Sequence, residues 1–221
     1  MKQISLSFAF LFLIACQNNN PAPTGPKQSL DLYVRLMAQE NKISAQAEMK
    51  NTDGAPMEIP GGIRFQGVNM RLIPLQGVMY QHSFAARYIP EIQFDWGGGK
   101  APAEQAKSDF PQAANFHFSR EILDRSKPDT LRWEGGPLGK GESLVCLWEH
   151  LGSRNTIPME ISSTGPLPEI IFPSSKLKEL EPAGQWSLYL VRKRLQKAET
   201  TSANVNITCE YYSQTDTMTV K

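Results

Sequence analysis

The sequence predicts an all-β protein, one or two β-sandwiches behind a short leader and tether. Three observations carry this. Apolar residues recur with period two over most of the chain after residue 30. Glycine and proline, 16 of each, break these runs at short intervals, as turns between strands require. No stretch carries an apolar stripe at helical spacing long enough to form a helix layer, which disfavours bundles and α/β folds.

The first residues are an address rather than a fold. Met1-Lys2-Gln3 carries one side-chain charge, and residues 4–14 are apolar apart from Ser5 and Ser7. Such a run makes roughly 16 Å of helix at about 1.5 Å per residue, against a bilayer core of roughly 30 Å. It is too short to span and suits the apolar core of a secretory signal. Leu13-Ile14-Ala15-Cys16 then resembles the lipobox of bacterial lipoproteins. The resemblance implies a signal peptide of residues 1–15, cleavage before Cys16, and acylation of that cysteine with fatty acid such as palmitate. It also implies an envelope location. Gln17 is not the acidic residue associated with inner-membrane retention, so the outer membrane is the expected address. Residues 16–29, with Asn18-Asn19-Asn20, Pro21, Pro23, Gly25 and Pro26, read as an extended tether.

Composition narrows the function classes. Without Lys2 the basic residues fall from 23 to 22 and equal the 22 acidic ones. A chain near zero charge has no electrostatic footprint for nucleic acid. Beyond Cys16 the cysteines are Cys146 and Cys209. They are a candidate disulfide in an oxidising envelope, with two buried thiols as the alternative. The residues after the tether exceed a single sandwich of about 100 residues and fit two such domains or one larger one.

Strands follow in order. Leu30, Leu32, Val34 and Leu36 share a face; after the polar turn 39–42, Ile43, Ala45, Ala47 and Met49 do the same. A loop with Asp53-Gly54 precedes the strands "IRFQGVNMRLI" and "GVMYQHSFAARYI". "EIQFDW" aligns Ile92, Phe94 and Trp96 before a triple glycine. Residues 101–114 read as a long loop with at most a helical turn, and "FHFSREI" returns to strand. A division into residues 30–123 and 124–221 is expected, the second opening with "TLRWE". "SLVCLWEHL" is nearly all apolar and reads as a central strand buried on both faces. Trp186, Leu188 and Leu190 alternate after the Pro182–Gly184 turn, as do Val205, Ile207, Cys209 and Tyr211 near the end. A loop entering an aromatic-headed strand resembles the E–F corner of immunoglobulin-like and fibronectin-like domains, with Trp186 in place of the usual tyrosine. That resemblance implies an immunoglobulin-like sandwich in the C-terminal half.

Chemical motifs are sparse. "GGPLGKGES" from Gly135 departs from a phosphate loop: three residues, not four, separate Gly135 from Gly139-Lys140, and glycine follows the lysine. A β-turn is expected. His82, His117 and His150 lack zinc-type spacing, and His117 should face outward between Phe116 and Phe118. There is no Gly-x-Ser-x-Gly elbow, and Cys146 sits in an apolar strand that would hide its thiol. Asp95, Glu134 and Glu149 are carboxylates that a scattered hydrolase site would have to converge. The basic run "VRKRLQK" at 191–197 reads as a solvated strand end. Among the four tryptophans, core packing is the default, with Trp96 the first candidate for exposure.

The expectation is therefore a non-enzymatic, lipid-anchored binding or scaffolding module, with no metal or cofactor and a protein partner in the envelope. A carbohydrate-binding lipoprotein using exposed Trp96 or Tyr80 is the first alternative. A hydrolase joining acidic residues to a histidine in a pocket is the second.

Overall fold

The computed structural model describes residues 27–73, 77–98, 101–162 and 165–221. The lipobox cysteine lies outside them. The chain is all-β, as expected. Its strands are β1 (Gln28–Met37), β2 (Lys42–Lys50), β3 (Pro56–Met57), β4 (Ile63–Phe65), β5 (Val68–Asn69), β6 (Arg71–Ile73), β7 (Met79–Ala85), β8 (Glu91–Gly98) and β9 (Ala101–Asp109). They continue with β10 (Ala114–Phe118), β11 (Ile122–Leu123), β12 (Asp129–Glu134), β13 (Glu142–His150), β14 (Thr156–Ile161) and β15 (Glu169–Phe172). A single turn of helix, α1 (Ser174–Leu177), precedes β16 (Gly184–Glu199), β17 (Ala203–Tyr212) and β18 (Asp216–Val220).

Three sheets form two stacked layers. One large sheet runs β11-β18-β16-β17-β1-β2-β7-β6, with β13 and β14 on the opposite edge of β16 and β3 on β2. A four-stranded sheet, β5-β4-β8-β9, and a three-stranded sheet, β10-β12-β15, cover one face of it. Alternation decides which side chains meet: Phe65 packs on Phe84 at 6.0 Å under the first cover, and Phe118 packs on Trp148 at 5.7 Å under the second.

β16 joins the two halves. Its 16 residues pair first with β13 and β18, then, from Val191, with β17. β17 lies parallel to β1, from Gln28↔Ala203 to Met37↔Tyr212. The sheet therefore runs across the division expected at residue 124, and residues 191–212 pair beside N-terminal strands. Period two reveals strands but not their partners, so this pairing had no local signature.

Four local expectations differ. Residues 101–109 form a strand paired with β8, hidden from hydropathy because its inward Ala106 and Ser108 are too small or polar to mark a hydrophobic face. "IRFQGVNMRLI" folds back on itself, since Gln66 and Gly67 both have positive φ and close a two-residue hairpin between β4 and β5. β13 is buried on one face only; Val145 and Leu147 lie half-buried on the outer face. β1 takes in the last two residues of the expected tether, Gln28 and Ser29.

The basic run at 191–197 is also not a solvated strand end throughout. Arg192 is 4% exposed and pairs with buried Glu142. Its guanidinium also donates to the carbonyls of Gln112 (2.8 Å), Gly135 (2.7 Å), Gly136 (3.0 Å) and Pro137 (2.7 Å). Glu142 accepts from the Gly139 N–H and from Arg194 Nε. Burial pushes the Glu142 carboxyl up, but the Gly139 bond and the two arginines outweigh it and hold the group below its usual range. The "GGPLGKGES" segment makes the expected β-turn at Gly139–Glu142, crosses from β12 in one sheet to β13 in another, and is thus a carbonyl cradle for an arginine from β16. It clamps the 110–113 connection between the two covers.

The candidate disulfide does not form. Cys146 opposes Leu190 and Cys209 opposes Arg194, on opposite edges of β16. Two strand spacings across and four residues along put them on the order of 16 Å apart, beyond the roughly 7 Å a bridge permits. Both are free and buried. Burial raises both thiols, Cys209 up to about 12. The folded Cys16→Ser protein should not react with a thiol reagent such as DTNB, whereas unfolding it without reductant should release both thiols. One or no titratable thiol in the unfolded chain would contradict the separation.

Candidate partner-docking groove

The two covers do not seal the second half on every side. β10 is an edge of the three-stranded sheet, and β18 is paired beyond β16 only where β11 meets Thr219 and Val220. Between these edges lies a cavity of about 340 Å³, lined by residues from His117 to Glu121 and from Asp216 to Met218. A second cavity of about 610 Å³ shares Asp216 with it and continues past Asn115 and Phe116 to Tyr88, Arg87 and Ala38. A third, of about 350 Å³, lies on the outer face of the large sheet against Tyr189 and Tyr212 and meets the second only at the sheet's end, at Ala38 and Thr215. The first two meet at Asp216 and form a groove along the junction of the two halves.

Backbone polarity at the walls follows from the ladders. Ser119 N–H donates to Thr130 C=O, so Ser119 and His117 face β12 while the N–H and C=O of Phe118 turn to the open side. Lys221 N–H donates to Leu123 C=O, so in β18 the odd-numbered residues face away from β16. Thr217 is therefore groove-facing. Its N–H is held by the Asp216 carboxylate at 2.8 Å. The floor is aromatic: Tyr88 meets Tyr211 edge-on at 6.3 Å and donates its hydroxyl to Phe110 C=O. The rim is charged. Arg87 is exposed there and has no ion pair among the described residues. Tyrosine and arginine supply a large share of interface energy where proteins dock.

The residues picked from sequence as ligand contacts lie elsewhere. Trp96 is 4% exposed and donates its indole N–H to Glu104; Tyr80 is 6% exposed and accepts the Ile59 N–H. Neither can stack on a sugar, so the carbohydrate reading built on them is withdrawn. Triple glycine after Trp96 suggested exposure, but Trp96 caps a core face shared with Ile92 and Phe94. Trp186 is also fully buried, with its N–H on Pro182 C=O at 3.1 Å, closing the corner back on its own loop.

The carboxylates named for a hydrolase sit on β8, β12 and β13 with separate partners. Asp95 accepts from Gln93 and Gln105, Glu134 from Asn115, and Glu149 from Arg154. His117 faces outward as expected, whereas His150 is buried against Trp186 at 5.1 Å and accepts the Ser153 N–H. Among the described residues no group of three or more His, Cys, Asp or Glu is placed to hold a metal ion. The groove itself was missed because its walls come from residues about 100 positions apart. The available sequence signal was the polar stretch "SQTDT" between two strands, which reads only as a turn.

No protein-family model matches the chain, and no curated protein does. Among solved structures, murine CEACAM1b aligns at 8% identity over 88% of this chain and 100% of its own, with a TM-score of 0.27. The FN1–FN3 domains of chicken CNTN1 align at 10% identity over 86% of this chain and 67% of their own, with a TM-score of 0.23. At these scores the all-β assignment rests on the strand pairing itself.

Proposed function

We propose that the chain is a lipid-anchored binding module of the bacterial cell envelope, tethered through Cys16 and presenting the groove to a protein partner. One observation carries this reading. β1 starts at Gln28, next to the tether, and Ala38 at its far end lines the groove. Ten strand residues separate the two by roughly 30 Å. An anchor at one end and a recognition groove at the other hold the groove clear of the bilayer. Arg87 on the rim and Tyr88 on the floor support a protein partner. The outer membrane, rather than the inner, is the proposed address.

The test is crosslinking and recovery from the native host's membranes, comparing the full chain with Cys16→Ser. Wild type should sediment with membranes and carry a specific crosslinked partner. Cys16→Ser should move to the soluble fraction and lose that partner. A Cys16→Ser protein that still sediments would sink the anchor, and a wild type without a partner would sink the binding role.

A further inference from the structure

We infer that the groove receives an extended polypeptide segment of the partner as an added β-strand, seated between β10 and β18. This rests on the protein-binding reading above and names its recognition mode. Two unpaired edges face one cavity, from Phe118 on one wall and Thr217 on the other. Main-chain groups at both edges have the polarity an incoming strand requires, and strand addition takes its affinity from such groups. Phe116 and Tyr211 seat alternate apolar side chains of the incoming segment from below.

The far edge of the same three-stranded sheet is less suited. β15 exposes Ile171, but it is four residues long and bracketed by Pro168 and Pro173, a combination that blunts edge pairing. At the groove, the Asp216 carboxylate occupies the Thr217 N–H. It shields that edge when the groove is empty and must give way when a strand arrives. Removing it should therefore strengthen binding, an effect a side-chain docking site would not show.

The full chain carrying Cys16→Ser is panned against a displayed library of linear 12-residue peptides, and selected peptides are titrated by fluorescence anisotropy. Thr217→Pro removes a groove-facing N–H without removing a bond to β16, and should weaken binding at least tenfold. Asp216→Ala should bind several-fold tighter than wild type, and unchanged or weaker binding would contradict the shielding role. Methylating alternate backbone nitrogens of the peptide should abolish binding with its side chains intact. No selected peptide, or affinity insensitive to both Thr217→Pro and N-methylation, would overturn the proposal. Displacement of selected peptides by a synthetic peptide of residues 17–26 would overturn it too, since the chain's own tether would then be the occupant. So would concentration-dependent dimerisation blocked by Thr217→Pro. A membrane partner recovered equally by wild type and Thr217→Pro would leave the binding role standing and remove only this groove.

Discussion

Arg192→Ala should cost about 3–5 kcal/mol of folding stability, read as a lowered midpoint in urea denaturation. The guanidinium sits on Glu142 and on four backbone carbonyls from two segments. Truncation leaves the carboxylate buried, held only by Arg194 and the Gly139 N–H, and strands the carbonyls without donors. The neighbouring Arg194 provides the contrast. Its contact with Asp109 involves a carboxylate that is 80% exposed, so removing that contact by Asp109→Ala should cost no more than about 1 kcal/mol. Equal losses for the two variants would mean that the Arg192 cradle does not hold the halves together.

Gly135→Ala should be the second large effect, about 3 kcal/mol from positive-φ strain and forced backbone displacement together. Gly135 has φ +117°, and an added Cβ would lie 2.1 Å from the Gln112 carbonyl oxygen and 2.7 Å from its carbon. Both are main-chain atoms, so no side-chain rotation relieves the contact. That carbonyl is also an Arg192 acceptor, which makes the two sites one unit. The double variant should lose less than the sum of the single losses. Gly136→Ala is the control: φ is +77° but nothing lies within 4 Å, so about 1 kcal/mol is expected from conformation alone. If Gly135→Ala were as mild as Gly136→Ala, the connection at 110–113 would not press against the turn as described.

Periodicity made much of the fold legible. "LDLYVRLM", "ISAQAEM", "EIQFDW" and "NVNITCEYY" place their alternate apolar residues in the core, because one face of each strand is covered and the other is wet. It failed where burial is carried by small or polar side chains, as in β9, and where a charged side chain is satisfied inside. Arg192 looks like any other residue of "VRKRLQK"; only the cradle supplied by a turn 55 positions away makes it a core residue. Hydropathy cannot see a partner that distant. The same limit hid the groove, whose walls are adjacent only because β16 brings β18 back beside the second cover. Val145 and Leu147 mark the opposite error. A continuous apolar run suggested burial on both faces, yet only the Leu144, Cys146 and Trp148 side is covered.

Site-specific photocrosslinking in native membranes would show whether the groove holds a partner. A benzoylphenylalanine replaces His117, exposed on the groove wall, in the anchored full chain; a second protein carries it at Asp53, in the β2–β3 loop outside the groove-lining segments. A discrete adduct with one envelope protein is expected from position 117 and none from position 53. Adducts of equal yield from both positions, or none from position 117 in membranes that retain the anchored protein, would contradict it.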